Sequence, residues 1–427
     1  MAAHLVHVDF PPYVLKCVNE THFLVAGGGG PVRSGVPNAV EIFELQMQSG
    51  RLVAESKLRH NTDHEDDRSA IMNAALRYDG KEYLLAAGQD ERCQLYSIRK
   101  TEKNVVENLS SDGKGDGQAR KRKKNPPKKK EPPPPEDDKN DNEGIKTTVF
   151  EMDRLAGCQT NFTEKENYQK AVCFTPNGFF FVSGGTDGHL RIWLYPSMTK
   201  KIDIEAHTKE IDDVIVNPVG NMIISAGRDC TARVWHTKDG THVCDLQWNG
   251  CKDAKEYRFK SCRFGFLDGD PTQSALFTIH IPAKHKKGSH SYLCKWNDST
   301  FKPASTVSTG TEILSTLAVS HSGHFIGVGT MTGSIGIYIA FSLKRIKWVQ
   351  NHHSIFVTGL SFVPMTRKSR ALLGDLDAAI MSISADQRVG LVSVDNPRHY
   401  PVWLVFFGAV FIIVILFALL AAFGMNP

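Results

Sequence analysis

Residues 184–193 read GGTDGHLRIW, and the pattern returns 42 residues later as AGRDCTARVW at residues 226–235. A repeat of that length is typical of one blade of a β-propeller. In each copy a short apolar run precedes a Gly-x-Asp turn, and an alternating run ending in Trp follows it. This order of residues predicts a strand, a tight turn and a second strand.

The residue types of the repeat have structural explanations. Glycine accepts positive φ, an aspartate side chain accepts hydrogen bonds from turn amides, and a Trp ring fills the space between neighbouring sheets. Asp187 and Asp229 are therefore expected to stabilise turns rather than to take part in catalysis.

Weaker copies of the strand pattern extend on both sides of this pair. Residues 5–10 also alternate between polar and apolar side chains, and we expect this strand to complete the last blade and close the ring. The sequence thus predicts an all-β fold, a seven-bladed propeller within residues 1–397. The predicted blades cover residues 13–58, 71–155, 170–207, 210–248, 260–307, 313–350 and 355–394.

Composition narrows the class of protein. The nine cysteines include no CxxC pair and no Cys/His cluster with zinc spacing, so neither a disulfide framework nor a metal centre is indicated. Residues 101–146 are rich in Lys, Pro, Asp and Glu and poor in large apolar residues. Such a segment cannot offset its ordering entropy, and it is predicted to be a disordered insertion in the second blade.

The end of the chain has a different character. Residues 402–423 contain no charged or strongly polar side chain, and as a helix they are long enough to cross the ~30 Å hydrocarbon core of a bilayer. Basic residues lie just before this run. By the positive-inside rule we expect a cytosolic propeller, a membrane-flanking and transmembrane segment at residues 398–423, and a short lumenal tail at residues 424–427.

The segment GGGGPVRSGVPN at residues 27–38 is unusual for a β-hairpin. A phosphate-binding loop would carry Gly-Lys-Ser/Thr and lead into a helix, whereas this segment leads into a strand pattern, so nucleotide binding by the chain itself is not expected. Two interpretations of the glycines remain open. The loop could fold back so that its carbonyl oxygens converge on a monovalent cation, or it could be a flexible surface loop.

A second candidate is the basic run RKRKKNPPKKK at residues 120–130. It has the composition of a nuclear-import signal or a nucleic-acid patch, but no DNA-binding motif accompanies it. A solvated segment, or one attracted to anionic lipid, is favoured. A nucleic-acid-binding transcriptional regulator and a non-catalytic scaffold remain alternative functions. No GxSxG or HExxH motif supports hydrolysis.

Several motifs together resemble one family. They are the glycine run with the residues that follow it, AAGQD at 86–90, CRFG at 262–265, IYIAFSL at 337–343 and PVWL at 401–404. This combination is similar to the endoplasmic-reticulum WD-repeat guanine-nucleotide exchange factors that activate the COPII small GTPase. The likeness covers nearly the whole chain.

The resemblance implies a seven-bladed WD-repeat propeller with one C-terminal transmembrane helix, held in the endoplasmic-reticulum membrane with the propeller facing the cytosol. It implies that the protein promotes GDP release and GTP loading on the GTPase that starts COPII coat assembly. Such exchange involves no covalent chemistry. Nucleic acid is not an expected partner.

The resemblance also implies how the site is divided. A potassium ion held mainly by backbone oxygens would order one part of the loop, at Gly27, Gly28, Gly29, Gly30, Arg33 and Ser34. The part expected to engage the GTPase consists of Gly35, Val36, Pro37 and Asn38. Among these, the Asn38 side chain is expected to have a direct role.

Overall fold

The computed structural model describes residues 2–31, 35–63, 69–105, 145–267, 269–284, 286–396 and 402–422. Within these residues the strands form seven antiparallel sheets of four strands each. The prediction of a seven-bladed propeller is confirmed.

The chain begins with strand β1 (Ala2–His7). Blade 1 consists of β2 (Pro12–Cys17), β3 (His22–Gly27), β4 (Ala39–Gln48) and β5 (Arg51–Asn61). Blade 2 consists of β6 (Ile71–Tyr78), β7 (Tyr83–Gln89), β8 (Arg92–Val105) and β9 (Ile145–Gln159). Blade 3 consists of β10 (Gln169–Phe174), β11 (Phe180–Gly185), β12 (His189–Leu194) and β13 (Lys200–Glu205).

Blade 4 consists of β14 (Ile211–Val216), β15 (Met222–Gly227), β16 (Ala232–His236) and β17 (His242–Asp245). Blade 5 consists of β18 (Tyr257–Leu267), β19 (Asp270–Pro282), β20 (Ser291–Asn297) and β21 (Pro303–Gly310). Blade 6 consists of β22 (Leu314–Val319), β23 (Phe325–Thr330), β24 (Ile335–Ile339) and β25 (Arg345–Val349). Blade 7 contains β26 (Val357–Phe362), β27 (Leu376–Ser384) and β28 (Arg388–Asp395).

The N-terminal strand closes the ring as expected. β1 pairs antiparallel with β28, with Ala2 opposite Val392 and His7 opposite Arg388, so it supplies the fourth strand of blade 7. The apolar side chains of the strands pack between neighbouring blades, which gives one core cluster for each pair of adjacent sheets. The first strands of all seven blades line a central channel of about 770 Å³.

Two α-helices in the described part of the chain lie outside this pattern. Helix α1 (Arg367–Leu373) lies in the connection between β26 and β27, and helix α2 (Val402–Ala422) follows the ring. The side chains described in α2 are those of residues 406–417 and 419. Among the described residues no helix was found to be long and apolar enough to cross a membrane.

The predicted insertion begins later and ends earlier than expected. β8 and β9 remain paired as far as Val105 opposite Ile145, so strand pairing includes both ends of the segment predicted to be disordered. Hydrogen bonding to a partner strand stabilises these polar residues in a way that composition does not reveal. Residues 106–144, with the basic run at 120–130, lie outside the described residues.

The antiparallel sheets give the ring two distinct faces. First-to-second and third-to-fourth connections lie at one end of each sheet, and second-to-third connections lie at the other. Contacts between blades show that the ends are aligned, since Arg77 at the end of β6 donates to the carbonyl of Asn177 in the β10–β11 turn at 3.5 Å. We call the first face the exit face, because β28 ends there, and the second the loop face.

The turn aspartates hold local hydrogen-bond networks. Asp187 accepts a bond from the amide of His189 at 3.0 Å and pairs with Arg191 at 2.7 Å. Asp229 lies 3.1 Å from His207 Nδ1, while His207 Nε2 lies 2.8 Å from Ser225 Oγ. Both aspartates therefore stabilise turns in this structure.

Replacing Asp229 should destabilise the ring. Burial alone would raise the pKa of Asp229, but hydrogen bonds from His207 and Thr231 outweigh burial and lower it. We expect Asp229→Ala to reduce the free energy of unfolding by about 2–3 kcal/mol, because buried His207 loses its carboxylate partner. Urea unfolding measures this. Exposed Asp239, which accepts similar bonds from Thr241, is the control, and Asp239→Ala should change little. Equal losses would contradict the explanation.

A buried histidine predicts sensitivity to acid. His280 is fully buried in blade 5 and stacks on Trp248 at 4.1 Å, and burial lowers its pKa from 6.5 to about 3. The unfolded chain therefore binds a proton here that the folded chain excludes, so stability present above pH 6.5 is lost as the pH falls towards 3. At pH 5 the loss is ~2 kcal/mol.

Urea unfolding at pH 7 and pH 5 tests this expectation. In His280→Gln the difference in unfolding free energy between the two pH values should shrink by that amount. If the difference is the same in the variant and the parent, His280 is not the group responsible.

Candidate functional site

The glycine-rich loop connects β3 to β4 on the loop face of blade 1. The structure describes its residues 28–31 and 35–38, whereas Val32, Arg33 and Ser34 lie outside the described residues. The roles predicted for Arg33 and Ser34 therefore stay predictions.

Close backbone packing explains the first two glycines. A side chain at Gly27 would overlap the carbonyl of Pro11, and the amide of Gly28 donates to that same carbonyl at 3.1 Å. Gly28 has φ +149°, and a side chain there would overlap the side-chain oxygen of Asn38. Glycine is thus required at both positions by space, and at Gly28 by conformation as well.

Asn38 holds together the base of the loop, which we call its neck and define as Gly28, Gly30, Asn38 and Asp63. Its Oδ1 accepts a hydrogen bond from the amide of Gly30 at 3.0 Å, and its Nδ2 donates to the Gly30 carbonyl at 3.1 Å. Asn38 Nδ2 also donates a hydrogen bond to Asp63 Oδ1 at 2.8 Å. The backbone carbonyl of Asn38 accepts a hydrogen bond from the amide of Thr62 at 2.9 Å. The side-chain amide thereby joins the two limbs of the loop to the end of β5.

The tip of the loop is accessible while its neck is buried. Gly29, Pro31 and Gly35 are exposed, and Pro37 is half-buried. Val36 packs against the core cluster shared by blades 7 and 1. The loop is therefore neither a flat two-residue turn nor a buried segment. Its exposed backbone at Gly29, Pro31 and Gly35 is accessible to a partner, while its neck is held by hydrogen bonds.

The position of Asn38 bears on the direct role expected for it. Its side chain is only 2% exposed, and both amide hydrogens are donated within the chain. In this structure the Asn38 side chain supports the loop, and the direct role expected for it stays a prediction.

Sequence reasoning missed Asp63. The signal lay in the register of β4 and β5, where Ala39 pairs with Asn61, so the next residues along β5 fall beside Asn38. Predicting that register requires knowing where the bulge between Ile42 and Phe43 shifts the pairing.

The loop contains atoms that suit a hard cation. Within the described residues no hydrogen bond reaches the carbonyl oxygens of Gly28 and Gly29, and the carboxylate of Asp63 lies at the neck. Oxygen donors of this kind fit potassium. The described part of the chain holds no cluster of three or more His, Cys, Asp or Glu side chains for a metal. An ion here would therefore depend mainly on backbone oxygens.

Comparisons with known proteins agree with this architecture. Residues 157–193 and 198–236 match the WD domain, G-beta repeat family model. The chain also resembles the Raptor structure of Chaetomium thermophilum with a TM-score of 0.61 and 13% identity, covering 93% of this chain and 29% of that one. At that identity the likeness concerns the fold alone. Fold and repeat together define a WD-repeat β-propeller with a glycine-rich loop on one face.

The sequence relatives are more specific. The chain is 37% identical over 423 residues to the guanine nucleotide-exchange factor SEC12 of Rattus norvegicus, covering 97% of this chain and 96% of the relative. The SEC12 of Mus musculus is also 37% identical, over 421 residues with the same coverage. The chain belongs to the SEC12 family of guanine nucleotide-exchange factors. The resemblance inferred from the sequence motifs is confirmed.

Proposed function

We propose that this guanine nucleotide-exchange factor promotes GDP release and GTP loading on the small GTPase that initiates COPII coat assembly at the endoplasmic reticulum. The observation that carries the proposal is the loop at residues 27–38, which combines a hydrogen-bonded neck with an exposed tip. A partner can reach Gly29, Pro31 and Gly35 without any rearrangement of the ring.

The mechanism is one of linked binding equilibria. An exchange factor binds the nucleotide-free GTPase more tightly than the GDP-bound form, so by reciprocity GDP is bound less tightly in the complex. GTP then refills the site and displaces the exchange factor. No covalent bond is made or broken, and the propeller supplies binding energy alone.

The hydrogen bonds at the neck of the loop reduce the conformational entropy that is lost when the GTPase binds. Ordering a run of glycines on binding would cost more conformational entropy than ordering other residues. The bonds from Asn38 to Gly30 and Asp63 fix the loop before the partner arrives, so less entropy is lost on association. In this account Gly35, Val36 and Pro37 form the second limb of the surface offered to the GTPase, and Asn38 holds that limb in place.

A potassium ion is proposed as a further support of the loop. The carbonyls of Gly27, Gly28, Gly29 and Gly30 and the carboxylate of Asp63 are the oxygen donors that would hold it, with Arg33 and Ser34 in the same segment. When bound, such an ion would offset the repulsion between converging carbonyl oxygens.

We also propose that residues 402–423 anchor the propeller in the endoplasmic-reticulum membrane as a single pass, with the ring in the cytosol. Helix α2 contains 21 residues without a charge, and its described side chains are exposed. Arg398 precedes the helix, which agrees with a cytosolic orientation of the ring. Anchoring would confine exchange to the membrane where the coat assembles.

Release of a fluorescent GDP analogue from the loaded COPII GTPase tests the function. Residues 1–396 contain every strand of the ring, and we expect this fragment to accelerate release in potassium buffer and less so in sodium buffer. A release rate equal to that of the GTPase alone would contradict the proposed exchange activity and favour the alternative of a non-catalytic scaffold. Fast release that is insensitive to the salt would remove only the potassium proposal.

A further inference from the structure

The chain leaves the ring at one particular face. β28 ends at Asp395 on the exit face, and six residues separate it from the start of α2. Six residues can extend at most ~25 Å with their flanking bonds. That is about the height of the blade itself, since the eight residues of β28 span ~26 Å. A bilayer around α2 would therefore face the exit face and not the loop face.

A basic helix lies close to this exit. Arg367, Lys368 and Arg370 of α1 are exposed, while Leu372 and Leu373 pack against the core cluster shared by blades 7 and 1. The helix begins with a capping box between Thr366 and Ser369. The apolar contact on one side fixes the orientation of the helix. The three basic side chains on its other side therefore face the solvent.

The turns of the two neighbouring blades add to this surface. In blade 6, Phe341 is 73% exposed and is followed by exposed Lys344 and Arg345. In blade 1, the turn between β4 and β5 exposes Met47 and Arg51. These residues lie in third-to-fourth connections, so they share the exit face with α1.

The charge of this sector is predominantly positive. We call it the basic sector and define its cations as Arg51, Lys344, Arg345, Arg367, Lys368 and Arg370. Among the described residues, the carboxylates at the same ends of blades 7 and 1 are those of Glu20, Asp375, Asp377 and Asp395. Asp375 pairs with Arg370 at 3.7 Å, which leaves most of the cations without a carboxylate neighbour in this sector.

We propose that the basic sector binds the surface of an anionic bilayer, with the cations near lipid phosphates and Phe341 at the interface. This inference rests on the membrane anchor proposed above. Anionic leaflets attract nearby cationic side chains, and aromatic rings favour the interfacial region. Docking would orient the ring so that the glycine-rich loop points into the cytosol.

Vesicle sedimentation of residues 1–396 tests the proposal without the anchor. The fragment should bind phosphatidylcholine vesicles that contain 30% phosphatidylserine, and binding should weaken in high salt. The variant Arg367→Glu/Lys368→Glu/Arg370→Glu should bind about 100-fold more weakly, because each of the three removed cations contributes about a fivefold factor. A failure of the parent fragment to prefer anionic vesicles would overturn the proposal.

A matched variant on the loop face controls for net charge. Lys209→Glu/Lys284→Glu/Lys287→Glu reverses three exposed cations of the second-to-third or inter-blade connections and should retain binding. Equal weakening in both triple variants would mean that net charge, not the basic sector, governs binding. Circular dichroism checks that both variants remain folded.

A second readout locates the contact. In Phe341→Trp, brominated lipid should quench the added fluorescence, while in Phe162→Trp on the loop face it should not. Quenching of the loop-face probe instead would contradict the proposed orientation. Solution exchange by residues 1–396 does not require a membrane. Loss of lipid binding with retained exchange would therefore remove this inference and leave the proposed function intact.

Discussion

Asn38→Ala is expected to slow GDP release from the partner GTPase by about 100-fold, since misplacing a contact surface by about 1 Å can cost that much. The variant removes the bonds that join Gly30 and Asp63 to the neck, so the exposed tip loses its fixed position. The ring itself should remain folded, because Asn38 is not a member of the apolar clusters between the blades. Stopped-flow release of fluorescent GDP and a thermal melt measure the two effects.

The variant Gly28→Ala tests whether the Asn38 side chain supports the loop or contacts the GTPase directly. The new methyl group would overlap the oxygen of Asn38 and would require φ +149°, so it should disturb the neck while leaving the asparagine in the chain. We expect a loss of exchange similar to that of Asn38→Ala. If Asn38→Ala is inactive and Gly28→Ala is fully active, the Asn38 side chain acts by touching the GTPase and the supporting role is wrong.

Gly50→Ala is the control for backbone strain. Gly50 has φ +75° in the turn between β4 and β5, and a side chain there would meet no neighbour within 4 Å. The substitution also places a side chain at positive φ in the same blade, but it lies on the exit face. Exchange by Gly50→Ala should match that of the parent.

Deleting residues 2–9 is expected to lower the melting temperature by about 10 °C or more. The deletion removes β1 and with it the closure of blade 7, together with buried Leu5 and Val8. Burial of two such side chains alone contributes about 3–6 kcal/mol. It also exposes the edge of β28, which should promote aggregation.

Truncation at the other end provides the comparison. Removing residues 397–427 leaves every blade complete, so the melting temperature of the ring should stay close to that of the longer chain in detergent. A ring that tolerates loss of β1 as well as it tolerates loss of the C-terminal segment would contradict the closure described here.

Much of the fold follows from local sequence. The paired motifs ending in Trp193 and Trp235 set the blade length, and alternation of apolar residues placed the other blades even where the turn aspartate is missing. β1 was assigned correctly because a propeller needs a strand to close it. These features depend on residue types within a few positions of one another.

The features that were missed depend on contacts between distant segments. Asp63 reaches Asn38 only through the register of β4 and β5. Helix α1 was not predicted, because its seven residues are too few for a helical period and its capping box uses Ser369 in place of the usual acidic or amide residue. The burial of Asn38 also follows from the packing of the loop, which local sequence does not predict.

We expect the glycine-rich loop, held in place by the ring, to drive nucleotide release. Replacing residues 28–38 with Asn-Gly would join Gly27 to its cross-strand partner Ala39 by an ordinary two-residue turn and leave the seven blades in place. The most direct measurement is the rate of GDP release from the COPII GTPase in the presence of this folded variant. The expected rate is that of the GTPase alone, and release as fast as with the parent chain would mean that the loop does not drive exchange.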